Sequence, residues 1–409
     1  MTSTLIITTI FIITYLVMAI GKIPYIRLGR MEIAVIGAVL LLLLNTLPVQ
    51  QLLPSIQLPT LIILLALMII SAQFANAGFY YWCATKISHH EGSPAFLLAM
   101  VVFIAGTLSA LLANDIIAFA MTPILCNGLK ERGLDPRPFL FALMGAANTG
   151  SAATIIGNPQ NLLIAESGNL HFLTFLKICG PPAFVAMIIV YIVIWFCWRK
   201  QLKTTALPKE EKTTIQIDQW QTAIGLIFIT ILVICFILPI PRMISAAMVM
   251  ILLLLVRINK SWKLIKAADW RLLFLFAGLF IINASFSNTG LPSEGIKWLT
   301  LHHFHLDKLK VLVPFTFIAS NTIGNVPSVI LVLSLWPIKL KMTLYSLALF
   351  TTLAGNATIA GALANIIVAE RAKHTGTNIT FIDHIRGGLP LTLLSVGVAW
   401  IWITIIANA

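Results

Sequence analysis

Apolar blocks about as long as a bilayer is thick recur along the whole chain, from Leu5 to Ala407, and this constrains the fold more than any single motif. A transmembrane helix needs about 20 mostly apolar residues, and inside hydrocarbon every backbone polar group must find its partner within the protein. Of 409 residues, 59% are hydrophobic and 10% charged, with a mean hydropathy of +0.97. These values exclude a soluble enzyme and place the chain among all-α polytopic membrane proteins of the plasma (inner) membrane. The net charge of +13 does not signal nucleic acid. Lys and Arg stand in short clusters between apolar blocks rather than along one soluble face, the pattern of membrane orientation. Five cysteines (Cys83, Cys126, Cys179, Cys197, Cys235) lack CxxC spacing. They argue against a zinc site, an iron–sulfur site or a disulfide framework and read as small buried hydrophobes. The run Leu5–Ile20 has no basic region before it and Lys22, Arg27 and Arg30 after it, so it reads as a retained first span.

Charges and Gly, Pro and Asn breaks mark candidate spans at 4–20, 31–47, 58–76, 137–168, 175–198, 220–238, 243–257, 270–288, 343–372 and 388–407. Two further stretches, 96–126 and 308–338, carry polar residues in the middle: Asn114-Asp115 in one, Ser320-Asn321-Thr322 through Asn325 in the other. Polar centres fit re-entrant hairpins, because irregular backbone at membrane depth survives only where protein or a cavity surrounds it. With the N- and C-termini outside, ten spans and two hairpins put 20 Lys and Arg inside and seven outside (Lys177, Arg242, Lys297, Lys308, Lys310, Lys339, Lys341), as short cytoplasmic loops require. That parity holds only if both hairpins return to the side they enter from.

The segment 199–219, rich in Lys, Glu and Thr, reads as a cytoplasmic linker between residues 1–198 and 220–409. The two halves match. Phe74-x-Asn76-x-Gly78 recurs as Phe286-x-Asn288-x-Gly290, offset 212, and Ser109-(x4)-Asn114 as Ser320-(x4)-Asn325, offset 211. The strongest match, offset 204, sets ATIIGNPQNLLIAE (153–166) against ATIAGALANIIVAE (357–370), with seven identities in fourteen. Each half has five spans and one hairpin, an odd number of crossings, so the second copy is expected to be inverted. The expected fold is two inverted repeats of five transmembrane helices, each with one re-entrant hairpin and one broken helix (137–168 and 343–372), the architecture of secondary transporters. Gly157-Asn158-Pro159 interrupts a helix, since Pro removes a donor and clashes with the preceding turn. The second copy keeps Gly361 but has Ala362-Leu363 where Asn-Pro stands, which predicts a softer break.

These residues resemble those of the ion-transporter superfamily that includes arsenite efflux permeases, sodium/proton antiporters of the same fold, citrate transporters and divalent-anion/sodium symporters. The resemblance is sharpest at ANDIIAFAMTPI (113–124), GSAATIIGNPQNLLIAESG (150–168), SNTIGNVPSVIL (320–331) and AGNATIAGALANIIVAERA (354–372). It implies a hairpin tip with a Ser-Asn-Thr-like triad and a Pro nine residues after the Asn, a spacing that Asn114 and Pro123 keep. The first tip instead reads Ala113-Asn114-Asp115, nearer the Asn-Asp of arsenite-type permeases. In the second, the repeat register sets Asn325 opposite Asn114, with Ser320 and Asn321 as the other candidates. Family members often form homodimers.

No Lys or Arg falls near the middle of a proposed span. A small anion, whether an inorganic oxyanion, an arsenite-type solute or a carboxylate, would therefore be held by half-helix N-termini assisted by Asn and Thr. The expected binding residues are Asn114, Asp115, Thr154, Gly157, Asn158, Asn161, Ser320, Asn321, Asn325, Thr358, Gly361 and Asn365. Asp115, the one acid expected at membrane depth, joins Asn114, Gly157 and Asn356 as the expected ion-coupling set for H⁺ or Na⁺. A sodium/proton antiporter without an anion substrate is the other reading. Glu166 and Glu370 close their half-helices near opposite interfaces, where each reads either as solvated or as a coupling acid. His302, His303 and His305 lie in a polar loop with no carboxylate at ligand spacing, so no metal other than Na⁺ is expected. No other cofactor is expected. The chain has no GxxxxGK[ST] loop, so any use of ATP would need a separate ATPase subunit.

Overall fold

The computed structural model describes residues 2–21, 28–203, 217–336, 338 and 340–408. The first half runs α1 (Thr2–Ile20), α2 (Arg30–Leu43), α3 (Val49–Ser55), α4 (Leu58–Asn76), α5 (Phe79–Ser88), α6 (Pro94–Leu111), α7 (Asn114–Glu131), α8 (Arg137–Ser151), α9 (Pro159–Ser167) and α10 (Phe172–Trp198). The second runs α11 (Gln219–Ile237), α12 (Arg242–Val256), α13 (Ser261–Ala267), α14 (Trp270–Ser287), α15 (Leu291–Leu301), α16 (Leu309–Thr322), α17 (Asn325–Leu335), α18 (Lys341–Ala354), α19 (Leu363–His374) and α20 (Phe381–Asn408). Element for element the order repeats, down to the short helices α3 and α13. Lys22, Arg27, the part of the 199–212 cluster beyond Lys203, and Lys339, all counted in the charge asymmetry, lie outside the described residues.

Local chemistry sets the helix ends. Ser93, Asn158, Asp218 and Asp269 each accept a hydrogen bond from the backbone N–H three residues on, capping α6, α9, α11 and α14. Gly78 and Gly290, the repeated glycines at offset 212, both take a left-handed conformation (φ +76° and +78°) where α4 turns into α5 and α14 into α15. That turn accounts for the Phe-x-Asn-x-Gly match, because only glycine adopts it without strain.

The broken helices form the centre. From Pro138 to Ser151 every residue of α8 is buried, and so is every residue of α18 from Thr343 to Ala354. α6 packs on α8 and α16 on α18. α7 crosses to pack on α19, and α17 on α9, so the second arm of each hairpin meets the half-helix of the other half.

Two expected spans are short for a bilayer, and α2 is also shorter than its 31–47 outline. α2 has 14 residues and α12 has 15, about 21–23 Å at 1.5 Å per residue, against a hydrocarbon core of about 30 Å. Among the described residues, α4, α6, α10, α11, α14 and α20 are the helices long and apolar enough to cross alone. The first hairpin is longer than its 96–126 outline, with arms of 18 residues each, while the second has arms of 14 and 11. Of the five cysteines, Cys83, Cys126 and Cys179 are buried, but Cys197 and Cys235 are only half-buried.

Candidate functional site

Where α8 gives way to α9, the chain from Ala152 to Asn158 is unwound and its carbonyls need new partners. Asn161, in the first turn of α9, donates from Nδ2 to the carbonyls of Ser151 (3.1 Å) and Thr154 (3.0 Å). Its repeat mate Asn365 does the same in the second half, donating to the carbonyls of Gly355 (2.9 Å) and Thr358 (3.0 Å). Asn158 caps α9 through the backbone N–H of Asn161 (2.8 Å). Gly157 is required where it stands, because a Cβ there would lie 2.3 Å from the Ser151 carbonyl oxygen.

The second break is not softer. Eight residues, Gly355 to Ala362, separate α18 from α19, with one short 3₁₀ turn at Ile359–Gly361. Ala362 is as extended (φ −138°, ψ 145°) as Asn158 (φ −151°, ψ 160°). The break is made by that extended residue and by the amide holding the freed carbonyls, neither of which needs proline.

The two breaks are tied by a crossed exchange. Asn148 in α8 donates to the Oδ1 atoms of Asn356 (2.9 Å) and Asn365 (3.0 Å). Thr352 in α18 is the repeat mate of Asn148 at offset 204, and its hydroxyl, which donates to the Ala348 carbonyl (2.8 Å), also lies 3.4 Å from Asn161 Oδ1. Thr352 also accepts from Asn158 (3.3 Å) and Gln160 (3.2 Å). A residue of each half thus reaches the equivalent asparagine of the other, as two-fold-related contacts do.

The hairpin tips differ. In the second half, Asn321 donates to the carbonyls of Phe317 and Ala354 (both 2.9 Å) and accepts from the backbone N–H (3.1 Å) and hydroxyl (2.9 Å) of Thr358. Ser320 donates to the Thr351 carbonyl (3.3 Å). The amide nitrogen of Asn325, oriented as its neighbours require, donates to the carbonyls of Thr351 (3.1 Å) and Gly361 (2.6 Å). A Cβ at Gly361 would come within 2.5 Å of Asn321 Oδ1. At the first tip, Thr154 donates to the Ala110 carbonyl, while the Ser109 hydroxyl and Asn114 Oδ1 are buried without a partner among the described residues.

A cavity of about 350 Å³ lies against the first tip, lined by Asn114, Asp115, Gly157, Asn158, Pro159 and Asp269 among apolar residues of α4 and α7. The N-termini of α7 and α9 both meet it, supplying N–H donors and a positive field. Among the described residues, no Lys or Arg lines it. Asp115 is not the only acid here, since Asp269, exposed at the head of α14, shares the cavity.

Glu166 is not simply solvated. It pairs with Arg242 (2.5 Å), with side chains 18% and 11% exposed. The same guanidinium donates to the carbonyls of Ala165 (3.3 Å) and Leu170, fastening the end of α9 to α12. Glu370, its repeat mate, also has partners. His302 and His303 are exposed, and His302 Nδ1 lies 2.8 Å from the Trp298 carbonyl. Of the expected residues, Thr154, Gly157, Asn158 and Asn161 gather at the first break. Thr358, Gly361, Asn365 and Asn356 gather at the second, together with Ser320, Asn321 and Asn325. Asn114 and Asp115 face the cavity. Sequence reasoning missed Asn148, Thr352 and Asp269, and also His384, a buried histidine whose Nε2 lies 3.0 Å from the Asn356 carbonyl. Extending the offset-204 match five residues toward the N-terminus would have paired Asn148 with Thr352.

A family model described as citrate transporter matches residues 10–337. The chain is 26% identical over 447 residues to the silicon efflux transporter LSI3 of Oryza sativa subsp. japonica, covering 91% of this chain and 92% of that protein. It is 24% identical over 494 residues to the arsB protein of Dictyostelium discoideum, covering 91% and 86%. Among solved structures, the crystal structure of the Alcanivorax borkumensis YdaH transporter shares the fold, with a TM-score of 0.59 at 13% identity over 99% of this chain and 98% of that one.

Proposed function

The chain belongs to the citrate transporter family, and from that premise we propose that it is a secondary active transporter moving a small oxyanion or oxyacid across the plasma (inner) membrane, coupled to H⁺ or Na⁺. The observation that carries this reading is the pair of broken helices, held open by Asn161 and Asn365 and tied to each other by Asn148 and Thr352. Interrupted helices meeting near the midplane are how transporters build a solute site without charged side chains. The crossed exchange also supports a two-fold relation between the halves, which inversion requires. The silicon and arsB names of the relatives favour a small inorganic solute over a tricarboxylate, and a cavity lined by two aspartates and no basic side chain does too. Asp115 is the coupling acid in this reading, and the Arg242–Glu166 pair closes the outer side while the cavity meets the cytoplasmic face beside Asp269.

The same two acids favour a second reading, a sodium/proton antiporter with no anion substrate. One experiment separates them. Purified protein in proteoliposomes is offered arsenite, orthosilicic acid and citrate under an imposed H⁺ or Na⁺ gradient, and Na⁺/H⁺ exchange is measured with no solute present. Gradient-dependent uptake of an oxyacid supports the first reading. Exchange with no uptake of any of the three supports the antiporter, and neither uptake nor exchange rejects both.

A further inference from the structure

We propose that the solute site is one-sided: the first hairpin tip binds, and the second tip is a permanent strut that seals its own break. This inference rests on the transport reading above and says which half of the site does the binding.

Counting hydrogen-bond capacity carries the argument. An asparagine side chain offers two N–H donors and two acceptor lone pairs. Asn321 uses all four, on Phe317, Ala354 and twice on Thr358. It takes on a ligand only by losing one of these bonds. Asn325 spends both of its donors on the carbonyls of Thr351 and Gly361, and Ser320 gives its proton to Thr351. The polar groups that sequence offers as a second binding tip are therefore committed to holding the tip against the break, so closely that Gly355 and Gly361 have no room for a Cβ beside Asn325 and Asn321.

The first tip carries the opposite pattern at the same repeat positions. Ala110 stands where Asn321 stands, offset 211, so no amide bridges tip to break. Ser109 and Asn114, the mates of Ser320 and Asn325, are 0% and 6% exposed, yet the hydroxyl of one and Oδ1 of the other have no partner among the described residues. Buried polar atoms left unpaired are rare because they are costly. Asn114 lines the cavity, next to Asp115 and opposite Gly157 and Asn158. The two N-terminal helix ends, the unpaired amide oxygen and the cavity together form a polar site suited to a ligand. At the mate tip Ser320, Asn321 and Asn325 bond to the protein itself, and the unpaired buried atoms beside the second break, Asn356 Nδ2 and His384 Nδ1, lie off the tip. A solute bearing hydroxyl donors satisfies Asn114 Oδ1 and accepts from the helix-start N–H groups.

The test uses a functional variant lacking the five native cysteines, with Asn114→Cys or Asn325→Cys added, and the probe 2-aminoethyl methanethiosulfonate. Cysteine at 114 is expected to react at least about tenfold faster than cysteine at 325. Should Asn325→Cys fail to fold, Ser320→Cys, a near-isosteric change, takes its place. In parallel, thermal unfolding should show Asn114→Ala as stable as wild type or more so, and Asn325→Ala less stable. Equal labelling, or a stability loss in Asn114→Ala matching that in Asn325→Ala, overturns the one-sided site. In arsenite and orthosilicic acid uptake, Asn114→Ala should raise KM at least about tenfold, and Ser320→Ala should leave it within about twofold. Equal KM changes also overturn the inference, whereas no uptake by the wild type rejects the transport reading and leaves the labelling result to decide this one.

Discussion

Replacing Asn161 by Ala deletes both donors that hold the first break. The Ser151 and Thr154 carbonyls lose their partners at 3.1 and 3.0 Å. The Thr352 hydroxyl loses the nearby Oδ1 but keeps its bond to the Ala348 carbonyl (2.8 Å), so it is not stranded. Two buried carbonyls left unpaired cost about 1–3 kcal/mol each, or about 2–6 kcal/mol together. At 1.4 kcal/mol per tenfold, even the lower bound leaves about 30-fold fewer molecules with the break in its native geometry. If that geometry is what binds or passes the solute, initial uptake into proteoliposomes falls by about that factor or more, at matched protein content. Asn365→Ala strands the same number of carbonyls, those of Gly355 and Thr358, while Asn148 keeps Asn356 as its acceptor. The two variants are therefore expected to lose activity equally despite Pro159 in only one break. Both alanine variants transporting at the wild-type rate would refute the reasoning and reduce the breaks to packing features.

A single cysteine at 127–135 should be labelled by a membrane-impermeant thiol reagent only from the cytoplasmic side, and one at 340–342 only from outside; labelling of both from one face contradicts the inversion. Arg242→Ala should lower stability by about 3–5 kcal/mol, because it leaves Glu166 partly buried and uncompensated. Glu166→Gln, which still accepts from Arg242, should lose far less in the same thermal unfolding assay, and equal losses would remove the pair from the account. Asn148→Ala should impair uptake as severely as Asn365→Ala, while Asn148→Thr, which copies the mate Thr352, should recover part of it. Wild-type uptake by Asn148→Ala would mean the crossed exchange is dispensable.

How much of this was legible depended on whether the signal was local. The break positions showed in the offset-204 match because a glycine against a carbonyl and an asparagine one turn later are needed in both copies. The hairpin tips showed as polar residues inside apolar blocks. The depth of the second break did not show, since proline looked like the cause and the cause is extended backbone at Asn158 and Ala362. Asn148 and Thr352 play one role with different side chains, so a search for identities passes over them. Asp269 stood in a basic cluster, and only the packing of α13 and α14 beside α4 brings it to the cavity. The Arg242–Glu166 pair joins residues 76 apart in sequence and had no local signature.

Asp115 carries the central claim, that a carboxylate at the first tip links the solute site to the driving ion. It lines the cavity one residue beyond Asn114, in the first turn of α7, with no hydrogen bond or ion pair to another described residue. Asp115→Asn keeps the shape of the side chain and deletes its titratable charge. The decisive measurement is solute accumulation by wild-type and Asp115→Asn proteoliposomes under imposed H⁺ and Na⁺ gradients, with thermal unfolding of both proteins as the control for folding. The account predicts an unfolding midpoint close to wild type and no accumulation above equilibration under either gradient. Wild-type accumulation by the variant would contradict it and leave Asp115 as no more than an acid in the first turn of α7.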